Sequence, residues 1–68
     1  MLFKKGDIVN HKSNQFIQMI VISTYEIDGQ KMVDVRYINS EHVLIITSVC
    51  EFELELFIEK EKTGFING

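Results

Sequence analysis

The chain has no proline, no tryptophan, no alanine and one cysteine in 68 residues. One thiol cannot close an internal disulfide, which excludes the disulfide-stapled class of small domains and leads us to expect a cytoplasmic setting. No apolar run approaches the roughly 18 residues a membrane-spanning helix needs, and the first residues carry no signal-peptide apolar segment, so no membrane partner is expected. The missing alanine removes the best helix former. In its place isoleucine, valine and threonine supply 19 of the 68 residues. These stiff, branched side chains fit a pleated, half-buried surface, and the composition points to an all-β fold.

A hydrophobic share of 46% with 25% charged residues is that of a folded protein and excludes a disordered one. A chain of this length hides only about 60% of its extended-chain surface on folding, so its stability is expected to be marginal unless self-association adds to it. The net charge is −3 and unevenly placed: residues 1–37 carry five Lys/Arg against four acids, and residues 38–68 carry two against six. That is not the strongly basic balance of a nucleic-acid binder.

Along the chain, Asp7 to His11 reads as a first short strand after a lead-in turn at Gly6, and Lys12 to Gln15 as a polar connection. Gln18 to Ile27 is a β-favouring run that ends on Asp28-Gly29. Between two such runs this dipeptide marks a two-residue hairpin, because both residues tolerate positive φ. The turn sets Ile27 opposite Gln30, Glu26 opposite Lys31, Tyr25 opposite Met32, Thr24 opposite Val33 and Ser23 opposite Asp34. Continued without a break, it sets Ile22 opposite Val35, Val21 opposite Arg36 and Ile20 opposite Tyr37. One face then holds Ile20, Ile22, Thr24, Val33, Val35 and Tyr37, the expected core side. The other holds Val21, Ser23, Tyr25, Ile27, Met32, Asp34 and Arg36 and is expected to face solvent.

His42 to Cys50 reads as a fourth strand whose Val43-Leu44-Ile45-Ile46 run gives no alternation. An even loop before it places Leu44, Ile46 and Ser48 on the core face; an odd one places Val43, Ile45 and Thr47 there. Glu51 to Ile58 alternates as a fifth strand, with a helical turn as the rival. Five short strands in about sixty residues most economically curl into a small SH3-like barrel, with an OB-like barrel the lesser alternative. The expected organisation is one such domain over residues 1–60 and a flexible tail over residues 61–68.

The segment Phe3-Lys4-Lys5-Gly6-Asp7-Ile8-Val9, with Lys12-Ser13 and Met19-Ile20-Val21 after it, resembles the YodC-like family of small bacterial proteins. That family pairs an aromatic before Gly-Asp-x-Val with a Lys-Ser turn and a Met-x-Val strand. The likeness continues through Asp28-Gly29 and Val33-Asp34-Val35-Arg36-Tyr37 to the Glu/Leu-rich end. Asn14 and Gln15 stand where the family has glycines, the spacing to Met19 is one residue longer, and Arg36 or Tyr37 takes the place of a family tryptophan. The resemblance implies an SH3-like fold and a bacterial or phage source, and no particular activity.

The chemistry-bearing residues are few. Cys50 ends an apolar strand with no thiolate-stabilising neighbour in sequence, and reads as structural. His11 and His42 lie far apart, with no second ligand at metal-binding spacing. Glu51, Glu53 and Glu55 form a row that does not converge on one point, and reads as a solvated acidic face rather than a cation site. No catalytic residue, metal or cofactor is therefore expected. Val21, Tyr25, Ile27 and Met32 put more apolar surface on the outer face than a lone barrel needs, which, with Arg36 beside them, points to a protein partner or a homodimer. The alternative is an RNA- or DNA-contacting module of the KOW type using Lys4, Lys5, Lys12, Lys31 and Arg36.

Overall fold

Asp28 and Gly29 both adopt positive φ, 50° and 80°, and so form the two-residue turn their sequence demands. In this computed structural model, which describes residues 2–57, that turn joins the two longest strands of a single antiparallel sheet. The strands are β1 (Ile8–His11), β2 (Asn14–Ile27), β3 (Gln30–Ile38), β4 (Leu44–Cys50) and β5 (Leu54–Leu56), with a one-turn 3-10 helix (Glu51–Glu53) before β5. Their order across the sheet is β4-β3-β2-β1-β5. The expected tail, residues 61–68, lies outside the described residues. No helix among the described residues is long and apolar enough to cross a membrane.

The hairpin register holds from Ile27↔Gln30 through Ser23↔Asp34 and then slips. Val21, not Ile22, stands opposite Val35, and Ile20 stands opposite Arg36. Ile22 is the extra residue of a β-bulge, and every β2 side chain before it changes face relative to the unbroken alternation. Val21, expected on the solvent side, is therefore fully buried, whereas Ile20 and Ile22, expected in the core, are only half-buried. The bulge falls where β2 must serve two neighbours. Its first half pairs with β1 (Ile8↔Ile20, Val9↔Met19) and its second half with β3. A bulge bends the strand and increases its twist at that point.

Bending is what gives the sheet an interior. Phe3, Val9, Met19, Val21, Val33, Val35 and Leu54 form the core, and Val9, Val21, Val33 and Val35 have no exposed surface. No second layer of secondary structure lies against them among the described residues. The sheet must therefore cover its own concave face. Asn10, the one buried polar side chain among the described residues, donates from Nδ2 to the Glu55 carboxylate (2.9 Å) and to the His11 carbonyl (3.2 Å). The all-β fold with five antiparallel strands is as expected, but barrel closure is not seen: β4 and β5 are the two edges and do not pair with each other.

The ambiguous fourth strand resolves by its loop. Residues 39–43, an odd number, separate Ile38 from Leu44, which are partners in the ladder. Asn39 Oδ1 accepts from the amides of Glu41 (2.8 Å) and Val43 (3.0 Å), and the Asn39 N–H donates to the Val43 carbonyl (3.0 Å). Ile45, Thr47 and Val49 consequently share the inner face with Val33 and Val35. The Glu/Leu segment resolves as a sequence of both rivals: one 3-10 turn over Glu51–Glu53, then three residues of strand.

Gly29→Val is expected to lower Tm by roughly 5–15 °C, because a β-branched residue at positive φ costs about 1–2 kcal/mol. A Cβ at Gly29 would meet nothing within 4 Å, so the loss measures the backbone conformation alone. Val21→Thr is expected to cost about 1–3 kcal/mol in urea unfolding by burying a hydroxyl, and Ile20→Thr clearly less. The reverse order would refute the bulge at Ile22.

Candidate interaction face

Ladder partners share a face, so the convex side of the sheet can be read in rows. Cys50, Met32 and Tyr25 form one row; Ser48, Asp34 and Ser23 form the next. Ile46, Arg36, Ile20 and Ile8 form a third that crosses four strands, and Leu44 with Ile38 a fourth. The second row is tied together by hydrogen bonds. Ser23 Oγ donates to Asp34 Oδ2 (2.9 Å), Ser48 Oγ donates to Asp34 Oδ1, and the Tyr25 hydroxyl reaches Ser48 Oγ at 3.1 Å. One carboxylate thus joins β2, β3 and β4 on the convex side.

The third and fourth rows are apolar and open. Ile38 is 66% exposed, Ile46 61% and Leu44 56%, with Ile8 at 40% and Ile20 half-buried beside them. In their midst lies Arg36, exposed and without a carboxylate partner among the described residues. Of the residues expected on this face, Tyr25 and Met32 are there and half-buried, Arg36 is there and exposed, and Ile27 is exposed at the hairpin end. Val21 is the correction: it packs in the core and offers no surface. Sequence reasoning missed Ile8, Ile20 and Ile38, and left Leu44 and Ile46 open on the loop parity that the structure now settles. The unbroken apolar run at Val43–Ile46 was the visible signal for the last two, since only one of its two faces can be inside.

The cations of the nucleic-acid alternative are scattered. Lys4 and Lys5 lie in the turn before β1, Lys12 in the turn between β1 and β2, Lys31 near the β2–β3 turn, and Arg36 in mid-strand. The fourteen residues of β2, at about 3.3 Å each, put Lys12 and Lys31 on the order of 40 Å apart. No one basic patch can hold both.

The concave side ends in an open pocket of about 260 Å³, walled by Ile17, Met19, Tyr37 and Val49 with His11 and Ser13 at its mouth. His11 Nε2 lies 2.7 Å from Glu53 Oε1, and His11 Nδ1 lies 2.6 Å from Ser13 Oγ. The Ser13 amide also donates to Nδ1, at 3.1 Å. An amide can only donate, so Nδ1 accepts and the Nε2 proton points to Glu53. Serine, histidine and carboxylate follow the order of a hydrolase relay with the two ring nitrogens exchanged, and the Ser13 N–H is given to His11. These contacts fasten the β1–β2 turn to the 3-10 turn, helped by Lys12 N–H donating to the Glu53 carbonyl (2.9 Å).

The acidic row is likewise committed. Glu51 accepts from the Leu2 amide (2.7 Å), Glu53 binds His11, and Glu55 accepts from Asn10 and from Gln15 (3.2 Å). These carboxylates are anchors for three separate segments rather than the freely solvated face expected. Among the described residues no group of three His, Cys, Asp or Glu side chains is placed to hold a metal ion. Cys50 is half-buried beside Met32, and His42 is exposed in the β3–β4 loop. The chain matches no protein-family model, no curated protein and no solved structure.

Asp34→Ala is expected to cost about 1–2 kcal/mol in chemical unfolding, and adding Ser48→Ala is expected to cost less than the two single losses summed, because both remove one network. Ser13→Ala is expected to leave the slow hydrolysis of p-nitrophenyl acetate unchanged. A clear drop in that rate would restore the relay as chemistry.

Proposed function

We propose that this chain is a small, non-enzymatic interaction module of SH3-like build whose convex sheet face binds a protein partner. The observation that carries the proposal is the contiguous apolar area of Ile8, Ile20, Ile38, Leu44 and Ile46 around an exposed Arg36 that has no carboxylate partner among the described residues. Exposed apolar area of this kind marks interfaces, and arginine within such a patch is among the commonest binding anchors. The partner chemistry follows: an apolar ridge bearing one carboxylate that meets the guanidinium. Tyr25 and Met32, beyond the Asp34 network, widen the face towards the hairpin.

Support for the SH3-like reading comes from the meander β1 to β4 with β5 returned to β1, and from a concave side that the curled sheet and Phe3 bury without a second layer among the described residues. The YodC-like resemblance agrees with it. In that reading Arg36, at or next to the position of the family tryptophan, is the residue that gives this chain its own specificity. The cytoplasm is the setting that a single free thiol fits best.

A tagged pull-down from cells of the source organism, with nuclease in parallel, tests the proposal. Wild type is expected to retain a protein that survives nuclease and 0.5 M-range salt, and Ile46→Glu is expected to weaken it at least about tenfold. Captured material that disappears with nuclease, and falls steeply with salt, would favour the nucleic-acid reading instead.

A further inference from the structure

The two edges of the sheet are built differently. β5 is three residues long, carries Glu55 at its centre, and gives way at once to Phe57, whose amide bonds the Ile8 carbonyl (2.9 Å). Short length and an edge charge are the usual protections against strand addition. β4 has neither. It runs seven residues as Leu44-Ile45-Ile46-Thr47-Ser48-Val49-Cys50, with no charge, proline or glycine. Its ladder with β3 proceeds from Met32↔Cys50 to Ile38↔Leu44 without a bulge, unlike the other two long ladders. The result is a straight, β-branched edge with one row of backbone N–H and C=O groups unpaired among the described residues.

We infer that β4 is a dimerisation edge, taking the β4 strand of a second copy of this chain in antiparallel register to make one continuous ten-stranded sheet. The step is independent of what the convex face binds. A second copy fits because an uncharged strand opposes itself without repulsion, whatever the register. A twofold axis at Thr47 pairs the whole strand: Leu44 meets Cys50 of the second copy, Ile45 meets Val49, and Ile46 meets Ser48. Each such pair keeps its own face, so the convex and concave sides both continue across the junction. Stacking two copies convex face to convex face on an axis through the Arg36 row does less well, because it sets two guanidinium groups, which have no carboxylate partner among the described residues, against each other. A strand pairing leaves them apart, on β3 of either copy.

Thr47 is exposed and stands on the proposed axis, so the test is a charge swap. Sedimentation of the full chain is expected to show a dimer at high micromolar concentration. Thr47→Lys and Thr47→Glu, each folded by circular dichroism, are each expected to be monomers, and their equimolar mixture to recover a dimer. Amide exchange on wild type supplies an independent readout: alternate β4 amides, those turned away from β3, are expected to slow as concentration rises. A monomeric wild type overturns the proposal, as does a dimer that neither substitution weakens. Outward β4 amides that are protected independently of concentration overturn it too, since another segment of the same chain would then cover the edge. Should a variant fail to fold, the exchange data on wild type decide alone.

Discussion

Among the described residues a single sheet, with Phe3 of the lead-in segment added, has to shield its own apolar face, and much else in this molecule follows from that constraint. Four valines at zero exposure are reached with no second layer of secondary structure among the described residues. The curvature comes from β2, which holds β1 with its first half and β3 with its second, and which takes up an extra residue at Ile22 where one partner gives way to the other. Small β-branched side chains suit such a core, since a tightly curled sheet leaves little depth on its concave side. The four side chains with no exposed surface are all valines, while Ile8, Ile20, Ile38 and Ile46 stand on the convex face.

That division accounts for what could be read from the residues alone. Asp28-Gly29 dictates a local geometry, so the five pairs beside the turn, and the inward placement of Val33 and Val35, were legible. A bulge leaves no mark of its own in sequence: Ile20, Val21 and Ile22 are equally apolar, and nothing in their side chains says which one is supernumerary. The face of Val21 was lost there, and with it the correct outer row. Loop parity at residues 39–43 is decided by how Asn39 caps the connection, a side-chain geometry that composition does not encode. Glu51, Glu53 and Glu55 looked like a solvated stripe because their partners, Leu2, His11, Asn10 and Gln15, lie forty or more residues away.

The convex face combines two kinds of surface that would weaken each other if mixed. Asp34 and its hydroxyl partners form a polar band that fixes the mutual position of three strands, while the apolar rows to one side stay free of hydrogen-bonding demands. A partner docking on those rows displaces water from hydrocarbon and meets one cation, Arg36, carried on a strand that is paired on both sides. Rigid backing of this kind lowers the ordering cost of binding.

The polar fastening between the β1–β2 turn and the 3-10 turn has a kinetic meaning. β2, β3 and β4 are joined by short connections, so their pairing closes only small loops, whereas Val9↔Leu56 and His11↔Leu54 close nearly the whole described chain. Loop-closure entropy makes such contacts the late ones in folding and the first to open. His11, Asn10 and Gln15 therefore act as a clasp on the last element to arrive, and Leu54 is the only core side chain that β5 contributes. Opening that clasp uncovers Val9 and the inner edge of β1 while the central meander stays intact. The molecule thus has two stability units of unequal strength, which native-state amide exchange would resolve as early exchange in β5 and late exchange in β2 and β3.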